Sequence, residues 1–487
     1  MCFLCILRET LLREEVLKRF KPIFYPKSIA VVGALRDPNS FGARAIKTVI
    51  DLGYPGKLYP INPKVDGILG LKVYPSVTQV PGPIEFATIC VPAHAVPKIM
   101  EECVEKGVKA VHIYSAGFSE TGTQEGRKLE EDVVEIAKKG DIRVIGPNCE
   151  GIYCPESKVS TFSGSSGDVG SVGFFSQSGG HAMNLLIQAR VLEICFSKVV
   201  SYGNACDLDG ADFLEYFAED PKSNIIAMYI EGVKDGRRFF DLLKNIARKK
   251  PTLIFKGGVS KAGARAAESH TGALAGSSAI WDAVFKQTGA VKVSSRDELA
   301  NTLLVFLHQL RPSNRKVAFI NAGGGNSVFA ADTLEQAGLE VPTLLPNTIK
   351  ELRQFIPIPG TSLKNPLDLH RYIIHIDRVI RIVAKDSRFG AIIVALYPDF
   401  MLTYTAEVKD FRDITRGIIR AKKSLDIPLT ATIRTERVGL TGEIERLKAQ
   451  DRLIKAGIPV FSSILMAAKA IANAVGYQEF LEKSLNK

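Results

Sequence analysis

Apolar positions along the chain fall into two alternating patterns. Short, mainly apolar runs recur at Ser28–Gly33, Lys57–Ile61, Ile84–Val91, Val108–Tyr114 and Ile142–Ile145. Between them lie stretches of helical spacing, such as Phe41–Leu52, which ends at Gly53. Runs this short and this apolar read as buried strands, and their alternation with helices implies parallel strands joined by right-handed crossovers. A second set of runs lies at Ser171–Phe175, Phe196–Ser201, Asn224–Ile230, Thr252–Phe255 and Val291–Val293. A third lies at Lys316–Ile320, Phe389–Leu396, Leu429–Thr432 and Pro459–Phe461. The Ser- and Gly-rich residues 155–170 read as a linker, and Arg311–Arg315 as a second break. Ahead of the first set, Leu4, Leu7 and Leu11 and then Leu12, Val16 and Phe20 keep helical spacing. The expected fold is α/β, with three doubly wound, Rossmann- or flavodoxin-like domains of mainly parallel sheet at 22–153, 154–312 and 313–487. A helical extension, 1–21, precedes them.

Composition agrees with this reading and narrows it. A chain of 487 residues, at about 150 per domain, has room for roughly three. With 46% hydrophobic and 24% charged residues, extensive disorder is excluded. The 63 basic and 52 acidic residues leave a net charge of +11, spread without a block of like charge. Such a surface suits polyanionic small molecules. Without basic stripes, zinc spacings or aromatic platforms, nucleic-acid binding is not expected. No apolar run reaches the roughly 18 residues that cross a bilayer, and residues 1–20 do not read as a signal peptide. The eight cysteines are scattered, several within apolar runs, as reduced thiols of a cytoplasmic protein would be. Cys2-x-x-Cys5 lacks a second pair, so no metal site is expected.

Candidate chemistry sits where strands end. Gly33 closes the first strand, and Arg36, Asn39 and Ser40 follow before a helix begins. A strand, a glycine loop and a helix start offer free amides and a helix dipole to a phosphate. Only Gly33 and Gly42 are present, so the dinucleotide fingerprint is absent and a plain turn stays open. Ser176-Gln-Ser178-Gly179-Gly180 repeats the motif after the second set's first strand, and reads equally as an ordinary tight turn. Glu231 directly follows the run Asn224–Ile230, where a carboxylate can orient an imidazole or merely open a loop. The stretch Lys256–Gly276 joins a strand to a helix, and its many small residues surround one histidine, His270, fit for nucleophilic or acid–base work. The other six histidines read as structural. Asn321–Asn326 repeats the glycine-loop theme in the third set.

Taken in order, Pro26–Gly33, Tyr59–Pro63, Ile145–Cys149, Ser176–Gly179 and Gly263–Gly276 resemble the ADP-forming acyl-CoA synthetases and, more distantly, the α subunit of succinyl-CoA synthetase. The resemblance implies a coenzyme A (CoA) domain, two ligase domains and a phosphohistidine. It places the phosphoryl group on His270, the carboxylate that steadies its ring on Glu231, and the phosphate-receiving helix start on Ser178, Gly179 and Gly180. CoA contacts are expected at Gly33, Arg36, Asn39, Ser40, Lys64, Val91, Pro92 and Ser115. An acyl-CoA and phosphate would give CoA and an acyl phosphate, and His270 would carry the phosphoryl group on to ADP, making ATP. No ATP-grasp region follows the third domain. A separate ATP-grasp β subunit, holding Mg²⁺ and ADP/ATP in a hetero-oligomer, is therefore expected. Glu150 departs from the pattern, which leads one to expect an apolar residue there, and Gly325-Asn326 stands in place of Gly-Pro. The competing reading is a non-catalytic CoA-binding or regulatory protein of the same fold, against which His270 and Glu231 together argue.

Overall fold

The computed structural model describes residues 3–271, 276–399, 408–434 and 440–485, without the side chains of 3–10, 12, 268–271, 408 and 409. The chain divides into two compact units, Met1–Arg296 and Asp297–Lys487.

The first unit holds two large sheets. The first orders its strands β2-β1-β5-β6-β7, where β1 is Ser28–Val32, β2 Lys57–Ile61, β5 Phe86–Ile89, β6 Ala110–Ile113 and β7 Arg143–Ile145. All its pairings are parallel. A small hairpin, β3 (Gly67–Ile68) and β4 (Leu71–Lys72), lies apart. The second sheet runs β14-β13-β12-β10-β11-β8-β9. Its parallel strands are β10 (Val172–Ser176), β11 (Phe196–Ser201), β12 (Ile225–Ile230), β13 (Thr252–Lys256) and β14 (Val291–Val293). Every residue of β10, β11 and β12 is buried, which is why these runs show no polar alternation.

Two expectations change here. The linker reading of 155–170 gives way to part of a strand pair: β8 (Gly151–Cys154) lies antiparallel to β11, and β9 (Val159–Ser160) antiparallel to β8. The alternation of Val159 and Ser160 within polar neighbours hid a short edge strand. The N-terminal helix is no mere extension. It spans Phe3–Phe24, running through Pro22, and packs on the helix Gly210–Glu219. Phe20, Ile23 and Phe24 are fully buried, with Phe20 and Phe24 each 4.7 Å from the Tyr216 ring. That burial outweighs the hydrogen bond Pro22 removes. One hydrophobic core runs from Phe20 through β1 and β10 to Trp281 and Phe285.

The two sheets are also joined by polar contacts. Arg143 pairs bidentately with Asp207, at 2.8 and 2.9 Å. Asn204 Nδ2 donates to Glu120 at 2.6 Å and to Glu130 at 2.9 Å. Beneath the second sheet Lys198, with no exposed side-chain surface, meets Asp220 at 2.8 Å.

The second unit carries a parallel sheet ordered β16-β15-β17-β18-β19, with β15 at Val317–Asn321, β16 at Leu367–Asp368, β17 at Ala391–Leu396, β18 at Leu429–Ile433 and β19 at Val460–Phe461. Asn365 braces it: its amide donates to Val317 O at 3.0 Å and Pro342 O at 2.8 Å and accepts from Phe319 N at 2.9 Å. The Asn321–Asn326 loop leads into the helix Gly324–Gln336, as expected. Among the described residues no helix is long and apolar enough to cross a membrane.

Candidate active site

Parallel strands share one carboxyl edge, and ligands sit in the crevice where strand order reverses. In the first sheet that reversal falls between β1 and β5. Gly33, Arg36, Asn39 and Ser40 follow β1, Lys64 follows β2, Val91 and Pro92 follow β5, and Ser115 follows β6. The topology therefore brings all eight sequence-derived CoA candidates to one edge. Gly33 has φ +94°, and a β-carbon on it would lie 2.5 Å from Cys90 O. Only glycine fits there, and the loop lies tight against β5 as a result. A β-carbon on Gly42 would likewise lie 2.7 Å from Gly33 O. Ser40 caps the helix Phe41–Asp51, accepting from Ala43 N at 3.3 Å. Asn62 sets the next loop: its Nδ2 donates to Ala34 O and its Oδ1 accepts from Lys64 N, both at 2.8 Å. Arg36, Asn39 and Lys64 are exposed, as phosphate-pairing groups must be. The Ser115 hydroxyl donates to Val91 O, so these two candidates hold each other.

In the second sheet the reversal falls between β10 and β12. Ser178 follows β10 and caps the helix Gly179–Val191, its Oγ accepting from His181 N at 3.3 Å. The amides of Gly179 and Gly180 bond to no described residue, and a β-carbon on Gly180 would meet nothing nearer than 3.9 Å. Two donors thus stand open at the positive end of a helix. Glu231 follows β12 and is 5% exposed. The two strand ends are stitched together by Gln177, whose Oε1 accepts from Gly232 N at 3.0 Å and also from Glu231 N. Tyr229 Oη donates to Glu231 Oε1 at 3.0 Å, and the Tyr229 ring lies 4.1 Å from the His181 ring. Burial, with the Glu231 charge beside it, pushes the Tyr229 hydroxyl well above its usual range, so it stays a donor.

Lys256 ends β13 and completes the group. Its ammonium donates to Glu231 O at 2.8 Å and to Gly257 O, and lies 5.5 Å from the Trp281 ring centre. Burial pulls its pKa down to about 8, against the opposing pull of Glu231. Gln177, Tyr229 and Lys256 escaped the sequence reading as site residues. The signal for Lys256, a lone charge closing an apolar run before Gly257-Gly258, was present.

The stretch after Lys256 differs from expectation. Its small residues predict a joining segment ahead of a helix, yet Lys261–Thr271 is itself helical. Ser260 starts it, its carbonyl accepting from Ala264 N at 2.8 Å, and Ala264, Ala266 and Ala267 favour it. The helix lies against the turn Ser119–Thr121 on the first sheet's side. His270 belongs to its last turn by backbone, and its side chain lies outside the described residues. Among the described residues no cluster of His, Cys, Asp and Glu could hold a metal ion.

Comparison with known proteins places this arrangement. Residues 27–155 match the model of a CoA binding domain, and residues 169–306 that of a succinyl-CoA ligase like flavodoxin domain. The α subunit of Pyrococcus furiosus acetate–CoA ligase [ADP-forming] II is 38% identical over 90% of this chain and 93% of its own length. The α subunit of isoenzyme I from the same organism is 37% identical over 96% and 99%. Acetate–CoA ligase [ADP-forming] of Methanocaldococcus jannaschii is 41% identical over 72% of this chain but only 49% of itself. Among solved structures, dinucleotide-forming acetyl-coenzyme A synthetase 1 of Candidatus Korarchaeum cryptofilum, in complex with phosphate and ADP, superposes with a TM-score of 0.81 at 31% identity, covering 96% of this chain and 99% of that one.

Proposed function

Because the chain belongs to the family of ADP-forming acetate–CoA ligase α subunits, we propose that it is the catalytic α subunit of a nucleoside-diphosphate-forming acyl-CoA synthetase, working through a phosphohistidine. The overall reaction interconverts acyl-CoA, ADP and phosphate with free acid, CoA and ATP. In the direction of ATP synthesis, phosphate attacks the thioester carbonyl, the C–S bond breaks and CoA leaves as thiol. The His270 imidazole then attacks phosphorus, an N–P bond forms, and the acid departs as carboxylate. A nucleoside diphosphate takes the phosphoryl group from His270 in the last step.

The observation that carries this reading is the pair of unbonded amides at Gly179 and Gly180 beside Glu231. The amides supply fixed donors for phosphoryl oxygens, at no cost of reorganisation when charge develops. Glu231, held by Tyr229, Gln177 and Lys256, would accept from the imidazole N–H that does not react, fixing the tautomer and offsetting the growing positive charge. On the neighbouring sheet edge, Gly33, Asn39, Ser40, Val91, Pro92 and Ser115 would line the CoA crevice, with Arg36 and Lys64 for its phosphates. In this reading Mg²⁺ and the nucleotide belong to an ATP-grasp β subunit. The naming of similar proteins as α subunits supports a separate partner. We place the enzyme in the cytoplasm, a reading supported by six described cysteines that are all free.

The test uses labelled ATP, Mg²⁺, this chain and its β partner. Acid-labile label is expected on His270, none on the chain alone and none on His270→Ala. Label that persists in His270→Ala would assign the phosphoryl group elsewhere.

A further inference from the structure

Glu150 stands where the reactants of this ligase reading have to meet. It follows the loop that leaves β7, the last strand of the first sheet, and precedes β8 on the second. On one side it touches the phosphate helix, since a β-carbon on Gly179 would lie 2.7 Å from Glu150 Cγ. On the other side are Arg44, from the helix Phe41–Asp51, and Tyr114, after β6, both coupled electrostatically to its carboxyl. The Tyr114 ring stacks on Phe41 at 3.6 Å, which closes that wall. The Glu150 backbone is fixed by Ser201, whose Oγ accepts from its N–H at 3.2 Å, and by Thr161 Oγ1, which donates to its carbonyl. The carboxylate itself hydrogen-bonds to no described residue, and burial raises its pKa while Arg44 opposes.

A carboxylate in this place is a poor neighbour for a phosphate and for a substrate carboxylate, both of which the reaction brings to the Gly179 amide. A plain hydrocarbon chain would leave it unpaired, and a second substrate carboxylate would repel it. A donor on the acyl chain would satisfy it. We propose that Glu150 is a specificity-determining residue that selects short acids bearing a hydroxyl or ammonium group on the acyl chain, accepting a hydrogen bond from that group, and turns dicarboxylates away. The inference rests on the ligase reading above and names the substrate class of the same site.

The test compares kcat/KM of the reconstituted αβ enzyme for butyrate, its 3- and 4-hydroxy forms, 4-aminobutyrate and succinate. Wild type, Glu150→Gln and Glu150→Leu are assayed alongside His270 labelling from ATP. Wild type is expected to prefer a hydroxy or amino acid over butyrate by about 10- to 100-fold. In Glu150→Leu the order should reverse toward butyrate. Glu150→Gln should keep a hydroxy acid ahead, lose the amino acid and gain succinate. Each result is a ratio between acids on one protein, so partial loss of folded enzyme cancels. Labelled His270 together with an unchanged ranking in both variants, or with a wild type that prefers butyrate or succinate, overturns the inference alone. No label and no CoA-dependent turnover with any acid overturns the ligase reading and the inference with it.

Discussion

Glu231, just after β12, and His112, within β6, are both buried, yet they answer to different forces. Glu231 accepts from Tyr229 and is held at the end of its strand, where the proposed function has it steady an imidazole. Replacing it by Gln keeps the shape and removes that charge. The expected result is a 10- to 100-fold slower phosphoryl exchange at His270, read by ATP–ADP exchange, with CoA affinity unchanged. Loss of CoA affinity would place Glu231 in a different site. His112 is fully buried, with Nε2 3.0 Å from Cys149 O, and burial lowers its pKa to about 4. Its ordinary value is 6.5, so the unfolded chain binds a proton that the folded chain refuses. The resulting stability is complete above pH 6.5 and fades as pH falls toward 4, by about 3 kcal/mol. Urea midpoints measured over this range should fall more steeply for wild type than for His112→Gln, and equal slopes would contradict the assignment. These two residues also mark what could be read from the chain beforehand. Glu231 was visible because it closes an apolar run, but Gln177 lies 54 residues from it and Lys256 lies 25, and only strand adjacency makes them its partners.

The elements with the clearest periodicity were the ones best anticipated. Runs such as Ser28–Val32 and Phe196–Ser201 are strands because both faces are covered, and that leaves a compositional mark. The strands that escaped notice, β8, β9, β16 and the β3–β4 hairpin, have two to four residues each, too few to show any period. The apolar spacing marks the first helix as far as Phe20, and the helix runs on through Pro22 to Phe24. What carries it further is tertiary, namely Phe24 between Tyr216 and Phe217, at 4.7 and 6.4 Å. Phe24→Ala should cost about 3–5 kcal/mol in equilibrium unfolding, as for other buried aromatic truncations. A cost below about 1 kcal/mol would mean the helix is an accessory that the core does without.

The family resemblance singled out residues that lie at strand ends, and topology gives the reason they gather there. Two sheets present their reversal points on carboxyl edges within one compact unit, so the CoA and phosphate sites proposed above would use the same kind of crevice. Shared core residues from Phe20 to Phe285 make that unit cooperative rather than a string of separable modules. The diffuse +11 charge fits a protein whose substrates are polyanions. What no pattern of residues announced was the crossing of the chain from β7 into β8, which donates a strand to the neighbouring sheet.

That crossing bears on anyone who would excise the front portion as a stand-alone CoA sensor. A cut after Ile145 discards the Gly146–Glu150 loop that completes the rim, while a cut after Ser160 keeps a two-strand flap torn from β11. Its unpaired edge would solicit other chains, so a usable fragment needs that flap redesigned and not simply trimmed.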